Sequence, residues 1–163
     1  MLPSDFLSLI LRAAIDGMLM ARMSCWIAAA VMASATMIPA NASDLTGTWL
    51  IQDGTAKVRI VACGEAICGT VVWLSSPNDA ATGRPQTDKL NADPEKRSRP
   101  MLGVGVVLGM QRNSEANKWF GRIYNPDDGN TYNGAIELLD PSRLRVEGCV
   151  ALYCQTEIWT RTN

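Results

Sequence analysis

Eight short β-prone runs are the feature of this sequence that most limits what it can fold into. From Leu45 onward, segments rich in Val, Ile, Thr, Tyr and Trp alternate with clusters of Gly, Asn and Asp, a spacing typical of antiparallel strands. The runs are 45–52, 56–63, 68–75, 104–112, 118–124, 131–138, 143–149 and 154–161. Eight strands joined in sequence can close edge to edge, so we predict an all-β fold, an eight-stranded antiparallel up-and-down barrel.

Alternation within the runs predicts which side chains point inward. In the second run, Val58, Ile60 and Ala62 share one face, and the other face carries Lys57, Arg59 and Val61. In the seventh run, Leu144 and Val146 share a face in the same way. Hairpin turns are indicated by Asp-Gly pairs at 53–54 and 128–129, because glycine accepts a positive φ at little steric cost.

The first 42 residues have the pattern of a secretory signal peptide. An apolar stretch at 25–38 follows Arg22, and the segment ends in the small-residue pattern Ala40-Asn41-Ala42. The stretch is shorter than the roughly 20 apolar residues that a spanning helix needs, although an uncleaved anchor is the alternative. We therefore expect residues 1–42 to be removed, leaving a single barrel domain at 43–163, periplasmic or secreted, with no stable membrane span.

Charge and composition exclude several classes of function. The chain carries 15 Lys and Arg against 16 Asp and Glu, a net charge of −1 with no block of one sign. Nucleic acid is not expected as a partner, because it requires concentrated positive charge. Histidine is absent, which rules out Ser-His and Cys-His nucleophile pairs and His-ligated metal sites. We predict no catalytic residue, metal or cofactor; an enzyme using only Asp/Glu acid–base pairs with an arginine clamp is the remaining alternative.

Four cysteines of the predicted mature chain occur as two pairs. Cys63 and Cys68 end and begin adjacent runs, and so do Cys149 and Cys154. Residues facing each other across a short hairpin suit disulfide geometry, and an exported protein meets an oxidising compartment. In an up-and-down barrel the two hairpins lie at opposite ends, so we predict the local bonds Cys63–Cys68 and Cys149–Cys154. A four-thiolate zinc site and a redox-active dithiol are the alternatives.

The strand order also predicts which loops meet. The connections after runs one, three, five and seven gather at one end, here called the mouth. The connection at 76–103 is far longer than usual, as binding loops and lids often are. The candidate ligand-binding residues on this loop, its neighbours and the strands are Trp73, Asp88, Asn91, Arg97, Arg99, Trp119, Tyr124, Asp128 and Tyr132.

Each part of this candidate set has a structural alternative. Arg97 and Arg99 form either a clamp for a carboxylate or phosphate, or ion pairs that hold the loop. The aromatic side chains either line a cavity or belong to a filled core. The segment 127–129 is interpreted as a turn, because its acidic spacing does not match a twelve-residue calcium loop.

Two tripeptides bracket the barrel, GTW at 47–49 and WTR at 159–161. They resemble the pattern by which lipocalin-like barrels (calycins) close their base. That resemblance implies that Trp49 plugs the floor and that Arg161 stacks on its indole ring. Trp159 shares strand parity with Glu157 and Arg161, and we expect it to face outward.

Longer blocks resemble an uncharacterised bacterial family, domain of unknown function 2147. They are AKVRI at 56–60, CG at 63–64 and 68–69, NADPEKRSRPMLG at 91–103 and WFGRIYNPDDGNTYNG at 119–134. The resemblance implies a small exported protein with a lipocalin-like barrel. It implies no established activity and no catalytic residues.

These observations favour a binding protein. We expect the barrel to hold a small apolar or amphipathic ligand at its open end, with no cofactor. The alternative is an envelope assembly or interaction protein with a solid barrel, whose long mouth loop contacts a partner protein.

Overall fold

Eight antiparallel strands close into a barrel in the order in which they occur along the chain. The computed structural model describes residues 42–162. The elements are α1 (Ala42–Leu45), β1 (Gly47–Leu50), β2 (Ala56–Cys63), β3 (Ala66–Leu74), β4 (Gly105–Asn113), β5 (Lys118–Asn125), β6 (Asn130–Asp140), β7 (Arg143–Val150) and β8 (Tyr153–Thr162). The predicted all-β barrel is confirmed. The predicted signal peptide lies outside the described residues, except for Ala42, which begins α1.

Alternation along the strands builds the core. Val58 and Ile60 on β2, and Leu144 and Val146 on β7, are buried as predicted, while Ala62 is exposed near the end of its strand. Successive side chains of a strand point to opposite faces, so each strand contributes one apolar row to the closed interior. No helix in the described part of the chain is long and apolar enough to cross a membrane.

The barrel floor is packed solid. Trp49 is fully buried there, and its indole Nε1 donates to the carbonyl oxygen of Leu45, 2.9 Å away, at the end of α1. The Arg161 guanidinium lies 4.1 Å from the centre of the Trp49 ring. It also donates to the carbonyl oxygens of Asp44, Thr46 and Pro141 at 2.5 to 2.7 Å. One side chain therefore joins the start of the barrel, its end and the β6–β7 turn.

Gly47 is required by this arrangement. Its φ is 137°, and a Cβ added there would lie 2.5 Å from Arg161 Nη1. A larger residue would displace the guanidinium from the floor. The sequence pattern at 47–49 thus reflects a close approach between the first and last strands.

The expectation that Trp159 faces outward is wrong. Trp159 is buried inside the barrel, directly opposite Leu144 on β7. Antiparallel residues that pair directly share a face, so Trp159 points inward with Leu144. Glu157 and Arg161 share its parity, as the sequence indicated. The face that they share is the interior.

Two disulfides join Cys63 to Cys68 and Cys149 to Cys154. The first closes the β2–β3 hairpin at the floor end, and the second closes the β7–β8 hairpin at the mouth. These cysteines are therefore not zinc thiolates. Disulfide bonds are typical of proteins that fold outside the reducing cytosol.

The long connection between β3 and β4 folds against the barrel and has local structure of its own. It contains two isolated β-bridges, Asn78 to Pro85 and Thr87 to Pro100, and a short 3₁₀ helix at Pro94–Lys96. The Ala92 amide donates to the carbonyl oxygen of Gly129 in the β5–β6 turn. The loop thereby rests on the neighbouring mouth turn.

Candidate functional site

The mouth half of the barrel contains a cavity of about 740 Å³. Its deeper wall is apolar and buried, formed by Val58, Val71, Val106, Val146 and Trp159. This volume lies within the range of small-molecule sites, which are apolar clefts with a few fixed polar groups. The interior is thus filled at the floor and open toward the mouth.

The polar groups of the cavity come from β5, β6, β8 and the mouth loops. Glu157 faces the interior, and its Oε2 accepts a hydrogen bond from Trp159 Nε1 at 2.7 Å. Tyr132 lines the cavity and donates its hydroxyl to Asp128 Oδ2 at 2.5 Å. That hydrogen bond, made to the protonated hydroxyl, raises the pKa of Tyr132.

Asp128 is first of all a turn residue. Its Oδ1 accepts from the Asn130 backbone amide at 2.9 Å, and Gly129 beside it has a φ of 72°. A Cβ on Gly129 would overlap the carbonyl group of Leu90 in the long loop. The turn interpretation of 127–129 therefore accounts for the sequence there, and the long loop packs directly on that turn.

A buried polar cluster lies beside the cavity where the long loop meets β5. Asp88 is 0% exposed, and its carboxylate accepts four hydrogen bonds. Arg99 donates through Nε (3.0 Å) and Nη2 (2.7 Å), Asn91 through Nδ2 (2.8 Å) and Tyr124 through its hydroxyl (2.5 Å). Asn91 Nδ2 also lies 2.9 Å from the Tyr124 oxygen. Asp88, Asn91, Arg99 and Tyr124 are called the loop cluster below.

The loop cluster changes the acidity of Tyr124. Burial is the main cause, and the hydrogen bond to Asp88 adds to it, so the pKa of Tyr124 rises to about 12. Both effects favour the neutral hydroxyl over the phenolate. Tyr124 thus stays a hydrogen-bond donor to Asp88 well into the alkaline range.

Arg97 and Arg99 do not form an open clamp. Arg99 is bound to Asp88, and Arg97 donates from Nε to the backbone carbonyl of Asn91 at 2.7 Å. The Asp93 side chain caps the 3₁₀ helix and pairs with Lys96. The charges of this loop hold its own fold, as in the structural alternative for Arg97 and Arg99.

Two of the candidate aromatic residues lie away from the cavity. Trp73 is 41% exposed on the outer surface, where the Lys57 ammonium lies 5.1 Å from its ring centre. Lys57 pairs with Trp73 and Val58 pairs with Val71, which leaves Val72 as an extra residue in β3. This bulge turns Trp73, which simple alternation after Val71 would point inward, to the outer face. Trp119 is buried in the floor-side core, paired with Ile136 and Arg112.

The remaining candidates divide into two groups. Tyr124, Asp128 and Tyr132 line the cavity, whereas Asp88, Asn91 and Arg99 hold the loop against it. Sequence reasoning missed Glu157 and Gly148, both of which line the cavity. Glu157 could have been found from its position opposite Val146 in the β7–β8 hairpin, because Val146 is predicted to face inward.

The mouth also carries an apolar hairpin tip. Leu152 is 98% exposed and Tyr153 88% exposed at the β7–β8 turn, with Val150 beside them. The Cys149–Cys154 disulfide lies at the base of this tip. Val150, Tyr153 and Cys154 also line the cavity opening.

Comparison with known proteins places this barrel in a family. Residues 47–161, from the glycine of the floor motif to its arginine, match the family model described as "Uncharacterized protein conserved in bacteria (DUF2147)". The chain belongs to the DUF2147 family. Among curated proteins, none matches the sequence.

A solved structure with the same fold comes from Helicobacter pylori. It is described as protein HP1028, belonging to the lipocalin family. The superposition has a TM-score of 0.60 at 20% sequence identity and covers 73% of this chain and 83% of that one. At this identity the likeness concerns the fold alone. The DUF2147 barrel described here is lipocalin-like in architecture.

Proposed function

We propose that this DUF2147 barrel binds a small apolar or amphipathic molecule in its mouth-side cavity. The observation that carries the proposal is the division of the interior. The floor is filled by Trp49 and its neighbours, while the mouth half leaves about 740 Å³ against buried valines and Trp159. Protein interiors are normally close-packed, so an opening of this size is consistent with an occupant other than the protein's own side chains.

Other features support the same proposal. The loop cluster and the packing of Leu90 on Gly129 fix the walls of the opening, and rigid walls reduce the entropy lost on binding. The disulfides and the signal-like leader favour action in the periplasm or outside the cell. The ligand would then be a molecule of the envelope or of the surrounding medium.

Gly148 offers a direct way to close the cavity. It lines the cavity, and a Cβ added there meets its nearest neighbour, Tyr132 Cβ, at 3.9 Å. Gly148→Phe should therefore place an aromatic ring in the opening without backbone strain. Thr70→Phe adds the same ring on the exposed outer face of β3 and serves as the matched control.

Native mass spectrometry of the exported protein tests the proposal. We expect wild type and Thr70→Phe to carry a bound small molecule that Gly148→Phe lacks. Circular dichroism should show that all three proteins are folded. If wild type carries no ligand, and takes up none from a lipid extract of its host, the cavity is not a binding site and the proposal fails.

The hairpin tip favours a second candidate function. Leu152 and Tyr153 present apolar surface on a disulfide-closed turn, as residues that insert into a partner protein do. An envelope interaction protein would use this tip rather than Arg97 and Arg99, which are engaged within the loop. A photoreactive residue at 152 should then crosslink one envelope protein specifically, and the same residue at Thr70 should not. Equal crosslinking from both positions would eliminate this candidate.

A further inference from the structure

The cavity has a one-sided charge. Of the described residues that line it, none is Lys or Arg, whereas four are acidic: Asp53, Asp127, Asp128 and Glu157. Asp53 and Asp128 also accept hydrogen bonds within their own turns, so the local fold accounts for their presence. Their charges nevertheless act on any molecule that approaches the opening, and they attract cations.

Glu157 differs from these rim residues because it lies inside the barrel. It pairs with buried Val146 and shares its face with buried Trp159. A carboxylate beside the apolar deeper wall of the cavity loses part of its hydration, a cost that a paired cation or hydrogen-bond donors can offset. The Trp159 indole Nε1 donates to it at 2.7 Å.

The glutamates on β6 and β7 each form an ion pair. Glu137 on β6 bonds to Arg145 at 2.7 Å, and Glu147 on β7 lies 3.6 Å from the Lys118 ammonium. Within the described residues, Glu157 has no such ion pair with a lysine or arginine. The chain therefore supplies cations on the outer surface of this wall and leaves the inner carboxylate without one.

We infer that the cavity selects amphipathic ligands that carry a positively charged amine. This inference rests on the proposed function and adds the charge class of its ligand. The ammonium group would donate to the Glu157 carboxylate beside the Trp159 N–H. The apolar part of the ligand would contact the valines of the deeper wall. An anionic amphiphile, such as a fatty acid, would find no cation for its carboxylate and would be repelled by Glu157.

Three probes with matched ten-carbon chains separate charge from apolar contact: decylamine, decanamide and decanoate. Binding is measured at neutral pH by isothermal titration calorimetry, below the concentration at which each probe aggregates. We expect decylamine to bind roughly ten- to a hundredfold more tightly than decanoate, the range for a hydrogen bond to a charged group. Decanamide should lie between them.

Glu157→Gln removes the charge and keeps an oxygen that can accept from Trp159. It should bring decylamine close to decanamide in affinity. Glu115→Gln makes the same change of net charge on the exposed β4–β5 turn at the floor end and should leave the preference intact. Gly148→Phe should weaken all three probes together.

The possible results separate this inference from the proposed function. If the three probes bind equally, or decanoate binds best, the charge inference is overturned while the cavity remains a binding site. If Glu157→Gln and Glu115→Gln reduce the preference equally, the effect is one of net charge and the role of Glu157 is wrong. If Gly148→Phe binds every probe as wild type does, the probes bind elsewhere, and both the inference and the proposed function fail.

Discussion

Replacing Asp88 with alanine should destabilise the whole barrel, because this residue joins the long loop to β5. The carboxylate is fully buried and accepts from Arg99, Asn91 and Tyr124. Without it, the Arg99 guanidinium loses its bidentate partner and Tyr124 loses its acceptor. Asn91 Nδ2 and the Tyr124 oxygen still contact each other, so part of the cluster stays satisfied.

The magnitude follows from how exposed each partner is. Breaking a fully buried ion pair costs about 3–5 kcal/mol. The Arg99 side chain is 38% exposed and regains some hydration, so its share is smaller. Adding the buried Tyr124 hydroxyl gives a loss of about 3 kcal/mol in the free energy of unfolding. That corresponds to a fall of roughly 10 °C in the midpoint of thermal unfolding.

Urea unfolding followed by tryptophan fluorescence measures this loss. Asp93→Ala is the matched control, because it removes a carboxylate from the same loop at an exposed position. That carboxylate caps one turn and pairs with Lys96 in contact with solvent, so its loss should cost much less than the loss of Asp88. Equal costs for the two variants would refute the reasoning. The reasoning would also be refuted if, in Asp88→Ala, the long loop lost hydrogen-exchange protection while the stability of the strands stayed unchanged.

Three further outcomes are expected. Because the pKa of Tyr124 is raised from 10 to about 12, its contribution to stability is complete below pH 10 and disappears as the pH rises through 12. Urea midpoints should fall across this window more steeply in wild type than in Tyr124→Phe, in which Tyr132, whose pKa is also raised, still titrates. Equally steep falls in the two proteins would contradict the assignment. Arg161→Met should lower the free energy of unfolding by about 3 kcal/mol, because it removes three hydrogen bonds to carbonyl oxygens and the contact with the Trp49 ring. Arg161→Lys should restore less than half of this loss in the same urea measurement. Full restoration by lysine would show that the charge alone matters. Replacing both Cys149 and Cys154 with serine should lower the free energy of unfolding by about 2 kcal/mol, as expected for the loss of a disulfide that closes a short loop. In this variant a reducing agent should cause no further loss of stability from the β7–β8 hairpin.

The sequence was sufficient to predict the barrel because local chemistry and topology agree along most of the chain. Val58, Ile60, Leu144 and Val146 occupy the predicted face, and the Asp-Gly pairs at 53–54 and 128–129 lie in the expected turns. Closure follows from the even number of strands, which lets β8 pair antiparallel with β1. Trp49 on the first strand and Arg161 on the last form the predicted contact at the floor.

The candidate site was harder to predict, because it depends on register. One extra residue in β3 moves Trp73 from the inner to the outer face, and nothing in the local composition marks that bulge. Parity alone does not say which side of a strand is interior, so it predicts the wrong face for Trp159, which is buried. Two partners of Asp88, Arg99 and Tyr124, come from positions 11 and 36 residues away along the chain, so their convergence could not be seen without the fold.

The contact between Arg161 and the first strand also has a consequence for the order of folding. Arg161 Nη1 reaches the carbonyl oxygen of Thr46 across a sequence separation of 115 residues, and β1 pairs with β8. Until the last strand is available, β1 and β7 each keep an open edge, and the floor tryptophan lacks its cover. Such non-local closure is slow and leaves intermediates prone to edge-to-edge association. A chain of this design is best released whole before it folds, a requirement that a protein threaded through a membrane in extended form already meets.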